Sequence, residues 1–226
     1  PSSPYRASAR VHTLLETRRA ELGELLGADP ARIVFTSGAT EGNNAVLRHF
    51  GSDPAATAVV SAIEHPCVLT AAARLLKGRY WTAPVSADGV IDVRALEGLM
   101  HAHRPALTAV MAANNETGVT QPWREVVGLC QGLPGRLLVD AAQWLGKRLS
   151  AGLGSADFVT GCGHKFGGPK GTGFLVVPED LTGFASQIGG EQESGRRGGT
   201  ENYPAIAAMV AALANRETHQ AAQAAS

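Results

Sequence analysis

The chain has few cysteines, no excess of charge of either sign and no long apolar run, and each shortage removes a class of function. Cys67, Cys130 and Cys162 are the only cysteines in 226 residues. An odd number without metal-ligand spacing supports neither a disulfide framework nor a zinc site, so buried thiols are expected and no metal. Lysine plus arginine number 20, as do aspartate plus glutamate, which removes the electrostatic footprint of a general nucleic-acid binder. No apolar stretch approaches the roughly 20 residues that span a bilayer. The opening Pro1-Ser2-Ser3-Pro4 has none of a signal peptide's apolar character, so a cytoplasmic protein without a membrane partner is expected. Neither G-x-x-x-x-G-K-[ST] nor G-x-G-x-x-G occurs, which weighs against nucleotide binding. There is no internal repeat and no low-complexity linker.

What remains is a globular composition, 44% apolar and 18% charged, long enough for one large domain with a sizeable core. From Ala7 to Leu26 apolar residues recur at Val11, Leu14, Leu15, Leu22, Leu25 and Leu26, a helical rhythm that stops at Gly27. Short β-branched or aliphatic runs follow at Ile33-Val34-Phe35, Ala58-Val59-Val60, Leu107 to Met111, Leu137-Leu138-Val139, Phe158-Val159 and Phe174 to Val177. Continuous apolar runs of this kind suit strands covered on both faces. Segments of helical length lie between several of them, at Pro66 to Leu76, Val93 to His101 and Trp123 to Gln131. The alternation predicts an α/β fold with a mostly parallel sheet flanked by helices. Asp88-Gly89 marks a turn, and the alanine-rich stretch from Pro204 to Ala225 predicts a long helix.

In open α/β sheets ligands bind beyond the carboxyl ends of the strands. Five polar clusters fall there: Thr36 to Glu41, Glu64-His65, Asn114 to Gly118, Asp140 to Gln143, and Gly163-His164-Lys165. The last lies in a glycine-rich stretch, and its lysine has the setting of an amine that anchors an aldehyde cofactor such as pyridoxal 5'-phosphate. Lys165 is nearer the strand end than its competitor Lys170; a solvated loop lysine is the plain alternative. Asp140, ending an apolar strand, is either a helix N-cap or the partner of a buried cation. A protonated pyridine nitrogen is such a cation. Gln143 would lie one helical turn on, as a donor to the cofactor's phenolate oxygen or an ordinary surface amide. Ser37-Gly38-Ala39-Thr40, between strand and helix, offers N–H groups and hydroxyls to phosphate. His65 is either a ring that stacks on the pyridine and takes part in proton transfer, or a polar residue at a helix start. Asn115 is a donor to the cofactor's ring oxygen or to a substrate carboxylate, or a turn asparagine.

Taken in order, these clusters resemble the cysteine desulfurases, in the class V branch of pyridoxal-phosphate-dependent aminotransferase-fold enzymes. The resemblance rests on Phe35 to Glu41, Glu64-His65, Asn114 to Gly118, Val139 to Gln143 and His164 through Gly173, and extends through Gly189 to Glu193 and Arg197 to Asn202. It implies the large domain of the aspartate-aminotransferase-like type I fold over residues 1–203, with 204–226 a connecting helix toward a small domain. It further implies that Lys165 carries the cofactor as a Schiff base and that Asp140 holds the pyridine nitrogen. Gln143 would touch the ring oxygen, His65 would stack on the ring, and Asn115 would join the cofactor and substrate side. Ala39, Thr40, Cys162 and His164 would contact the phosphate, and Thr200 would reach the other subunit's phosphate in a homodimer. The implied substrate is L-cysteine, with alanine as product and a persulfide passed to a sulfur acceptor or iron-sulfur scaffold protein.

The sequence departs from the family's pattern in three places. The family's mobile nucleophilic cysteine and its substrate-carboxylate arginine lie beyond the stretch matched by Asn202. The chain begins inside an Asn-Pro-Ser-Ser motif, with Tyr5 where histidine is usual, and truncation at both ends is expected. Cys162 stands where serine is usual and supplies only a weak S–H donor to phosphate; neither it nor Cys67 is expected to replace the sulfur carrier. Two other functions fit the same motifs. One is another class V reaction, selenocysteine lysis or amino transfer to a keto acid; the other is a cofactor-binding module without catalysis.

Overall fold

The computed structural model describes residues 6–224; the readings placed on Pro1 to Tyr5 and on Ala225 lie outside the described residues. Helix α1 (Arg6–Leu26) leads into β1 (Ile33–Thr36) and α2 (Ala39–Ser52), and β2 (Ala58–Ser61) is followed by α3 (Pro66–Leu76) and β3 (Tyr80–Ala83). Then come α4 (Val93–His103), β4 (Leu107–Met111), α5 (Trp123–Gln131), β5 (Arg136–Asp140), β6 (Phe158–Cys162), β7 (Gly173–Val176) and α6 (Tyr203–Ala224). The expected helices and apolar runs fall within these elements, except that Val177 lies one residue beyond β7 and Ala225 lies outside the described residues. Strand β3 was not expected, because its residues are half-buried at the sheet edge and carry no continuous apolar signal.

The seven strands form one sheet in the order β1-β7-β6-β5-β4-β2-β3. Pairings from β6 through β5, β4 and β2 to β3 are parallel, whereas β7 runs antiparallel to both neighbours. Residues 163–172, the only link between β6 and β7, hold no helix long enough for a parallel crossover, so the chain must return in the opposite sense. Successive strand residues face opposite layers. Ile33, Phe35, Leu137, Val139 and Val159 pack with α1, α4, α5 and α6 on one side. Val34, Val60, Leu138 and Phe158 pack with α2 and α3 on the other.

A buried ion pair ties the segment after β7 to this frame. Glu193, whose side chain is 1% exposed, accepts from Arg19 Nη1 at 2.7 Å and Nη2 at 3.0 Å and from the Phe35 N–H at 2.8 Å. Arg19 Nη1 also donates to the Ile33 carbonyl at 2.7 Å. Such complete pairing is what a buried charge pair requires to offset desolvation.

The parallel order sets the carboxyl ends of β2, β4, β5 and β6 along one edge of the sheet, where open α/β folds bind ligands. Gly173 brings the turn after β1 into the same place. A Cβ there would lie 2.4 Å from the Gly161 carbonyl oxygen and 2.6 Å from Gly38 Cα, so only glycine allows the three backbones to meet.

Candidate active site

A cavity of about 450 Å³ opens over these strand ends, within the size range of cofactor sites. Ala39, Thr40, His65, Asn115, Asp140, Gln143, Cys162, His164 and Lys165 all line it. Thr200 does not. It borders a neighbouring cleft of about 130 Å³ that shares Ser37 and Gly171 with the larger cavity.

On the cavity wall is Asp140, the last residue of β5 and 5% exposed. Its Oδ1 accepts the Ala142 N–H at 2.9 Å and its Oδ2 accepts from Asn43 Nδ2 at 2.7 Å. No ion pair of Asp140 is formed among the described residues. Burial pushes the carboxyl above its ordinary range, and the two N–H donors, with His65 and Lys165, pull it back. Asp140 is thus a buried acid short of one cation. The chain beyond it forms a series of hydrogen-bonded turns rather than a helix, with both Trp144 and Leu145 N–H groups bonding the Ala141 carbonyl at 3.0 Å. Gln143 therefore reaches the cavity from a turn, not from the helix expected.

Another part of the wall carries cations. Lys165 closes a short 3-10 turn after β6 and is exposed toward the cavity, with His164 and Lys170 also on its wall. Lys147 donates to the Lys165 carbonyl at 3.3 Å. Burial and then the Lys165 charge hold Lys147 below the usual lysine range. Burial followed by Lys165 and Lys170 does the same for His164. Here too begins α2, whose N-cap Gly38 supplies no side chain to its first N–H groups, and a helix start of this kind is an anion site. Glu41, near that start, accepts the Ser37 N–H at 2.8 Å and pairs with Arg197 at 3.1 Å. Burial works against its charge, but the Ser37 hydrogen bonds and Arg197 outweigh it and keep the carboxyl below its usual range.

On the same wall, His65 caps α3. Its Nδ1 accepts the Cys67 N–H at 3.1 Å, so the neutral ring carries its proton on Nε2. Asn114 secures the loop after β4, its Oδ1 accepting from Glu116 N, Thr117 N and Thr117 Oγ1 and its Nδ2 donating to Ile63 O. Its neighbour Asn115 is left exposed on the cavity wall. The two cavity thiols are poor nucleophiles: burial pushes Cys67 up to about 11, and burial together with the Asp140 charge raises Cys162.

Comparison with known proteins agrees with this geometry. The family model described as Aminotransferase class-V matches residues 1–226. The chain belongs to the aminotransferase class-V family. Class V relatives include "Cysteine desulfurase 2" of Trichormus variabilis, 36% identical over 225 residues covering 97% of this chain and 56% of that protein. "Cysteine desulfurase" of Mus musculus is 37% identical over 213 residues, 90% of this chain and 46% of that one. Among solved structures, a "NIFS-LIKE PROTEIN" superposes with a TM-score of 0.91 at 30% identity, over 98% of this chain and 62% of that chain. DndA from Streptomyces lividans superposes at 0.87 with 31% identity, over 97% and 65%. This class V chain spans about half the length of the curated relatives it matches. The family is one of pyridoxal-phosphate enzymes, and the fold is that of the NifS-like structures.

The cavity's chemistry fits that cofactor. An uncompensated buried carboxylate suits a protonated ring nitrogen, a lysine stands on the wall, and an uncapped helix start among cations suits a phosphate. Two buried residues next to Asp140, behind the cavity wall, carry no sequence signal of their place there. Asn43 lies inside α2 with 0% exposure, and Glu64, noted only as the neighbour of His65, is a buried acid whose Oε1 accepts the Met111 N–H at 2.5 Å.

Proposed function

We propose that this chain is the cofactor-binding part of a pyridoxal-phosphate-dependent cysteine desulfurase. The observation that carries the reading is that one cavity wall brings together Asp140, buried with no ion pair among the described residues, Lys165, and the start of α2, whose first N–H groups have no side-chain cap. The cofactor, when bound, supplies an electron sink. Asp140 keeps its ring nitrogen protonated, and Lys165 anchors it and carries protons to and from the substrate carbon. His65 stacks on the ring with Nε2–H directed away from its helix cap. Gln143 donates to the ring oxygen and Asn115 to the cofactor or the substrate carboxylate. Ala39, Thr40, Cys162 and His164 surround the phosphate, and Thr200 serves the phosphate of a second subunit in a homodimer. The separation of Thr200 from the main cavity supports that last assignment, since within one subunit it borders only the adjacent cleft.

The reaction converts L-cysteine and an acceptor thiol to L-alanine and a persulfide. The acceptor thiolate attacks the substrate sulfur, the carbon–sulfur bond breaks, and a proton fills the vacated carbon position. A relative's structure is described as "SspA in complex with cysteine", which supports cysteine as the substrate here. Because Cys67 and Cys162 are held as thiols, the acceptor thiol comes from outside the cavity wall, and a sulfur acceptor or iron-sulfur scaffold protein of the cytoplasm takes the product. The test is release of alanine from L-cysteine by the protein with pyridoxal phosphate and an added thiol. Release faster than that of free cofactor, lost in Lys165→Ala, is expected. Amino transfer to a keto acid would replace this reading with an aminotransferase, and no turnover above free cofactor would reduce it to a binding module.

A further inference from the structure

Asn43 stands out as a fully buried amide in a layer otherwise made of Val46, Leu47, Val60, Leu138 and Phe158. An unpaired amide in such a place costs a few kcal/mol, yet this one is nearly saturated. Its Nδ2 donates to Asp140 Oδ2 at 2.7 Å and to Cys67 Sγ at 3.2 Å, while its Oδ1 accepts from Thr160 Oγ1 at 2.9 Å. The acceptor-only Asp140 carboxylate fixes which way the amide faces, because turning it over would set Oδ1 against a carboxylate oxygen, and the Thr160 hydroxyl, also 0% exposed, donates to Oδ1 and holds the amide in place. The backbone is shaped to allow this. A Cβ on Gly42, the preceding residue, would lie 2.8 Å from Thr160 Cγ2, so glycine lets α2 approach β6 closely enough for the amide and the hydroxyl to meet.

Resting on the function proposed above, we propose that Asn43 is a positioning residue: held by the Thr160 hydroxyl, its amide keeps the Asp140 carboxylate charged and aimed at the cofactor's ring nitrogen. Asp140 has two hydrogen-bond donors, and the other, the Ala142 backbone N–H, cannot be altered by a side chain. Asn43 is therefore the adjustable one. The charged and titratable groups around Asp140 are Glu64 and His65 ahead of α3, Cys67 on α3, Cys162 on β6 and Lys165 after β6. Of these, Glu64 opposes its negative charge, and His65 and Lys165 favour it. Loss of the amide leaves the carboxylate protonated up to a higher pH, so the acid limb of cofactor binding moves upward.

The experiment uses Asn43→Leu and Thr160→Val, both close in shape to the residues they replace, with half-saturation by pyridoxal phosphate measured from pH 5 to 9. A second readout, the carboxyl titration of Asp140 in cofactor-free protein, is taken by NMR of carbon-13-labelled aspartate and assigned with Asp140→Asn. Asn43→Leu is expected to bind about tenfold more weakly at neutral pH, as for loss of one hydrogen bond to a charged group. Its acid limb and its Asp140 titration should both rise by about one pH unit, with binding recovering at alkaline pH. Thr160→Val should move both in the same direction by less. Unchanged limbs and titration in both variants, or an equal loss at every pH, would overturn the proposal by making Asn43 a packing residue only. Wild-type protein that takes no cofactor while the Asp140 titration still follows Asn43 would overturn the functional reading and leave the Asn43 relay standing.

Discussion

Asp140→Asn is expected to weaken pyridoxal phosphate binding by about 100-fold to several thousand-fold while changing the stability of the cofactor-free chain far less. The carboxylate is buried, accepts two hydrogen bonds and has no ion pair among the described residues. Removing one member of a buried charge pair costs roughly 3–5 kcal/mol, and here that pair exists only with the cofactor bound. Without the cofactor the carboxylate's desolvation is uncompensated, so deleting the charge offsets the hydrogen bonds that the amide makes poorly. The new amide can still accept from the Ala142 N–H, but its own N–H groups then face Asn43 Nδ2, which Thr160 holds in place. Cofactor titration compared with urea denaturation separates the two effects. Equal losses in both would mean that Asp140 supports the fold rather than a ligand.

Glu64→Gln is expected to abolish most of the loss of stability that the cofactor-free chain shows between about pH 5 and pH 8. The Glu64 carboxyl is fully buried, and burial followed by the Asp140 charge pushes it from 4.5 up to about 8, against the pull of the Met111 N–H. The Ser61 hydroxyl adds a weaker opposing pull, and Oε2 meets no partner in hydrogen-bond geometry among the described residues. A carboxyl whose folded value exceeds its unfolded value binds its proton more tightly when folded. Its contribution is therefore complete below the unfolded value near 4.5 and disappears as pH rises through about 8. The slope approaches 1.4 kcal/mol per pH unit within that window, so a loss on the order of a few kcal/mol accumulates. Denaturation at pH 5 and pH 8.5 should show this loss in the native chain and little of it in Glu64→Gln. The same slope in both proteins would contradict a neutral Glu64. Added pyridoxal phosphate should also flatten the slope, because a cation beside Asp140 removes part of the repulsion.

Much of this site was readable before any coordinates. Parallel strands end on one edge, so the polar residues that close Ile33-Val34-Phe35, Leu107 to Met111 and Leu137 to Val139 had to gather there, and they do. The cofactor-side cluster was legible because its residues follow strands directly. Asn43 was not, since an asparagine in an amphipathic helix beside Asn44 gives no sign that it faces inward; only the close approach allowed by Gly42 settles that. Glu64 hid for a related reason, as charge ordinarily argues for exposure and the burial arises from β4 passing beside it. Thr200 borders the adjacent cleft rather than the main cavity, in the segment that Glu193 anchors to α1, a long-range placement that its local sequence does not show. The turns after Asp140 replaced an expected helix because Ala141 and Trp144 close tight bonds that run on to Arg148.

The central claim is that Lys165 carries pyridoxal phosphate, and peptide mapping tests it most directly. The chain is loaded with pyridoxal phosphate, its visible spectrum recorded, and the complex reduced with borohydride before digestion. A yellow species whose stable label maps to Lys165 and disappears in Lys165→Ala is predicted; a label on Lys170, or one scattered over surface lysines in both proteins, would contradict the assignment.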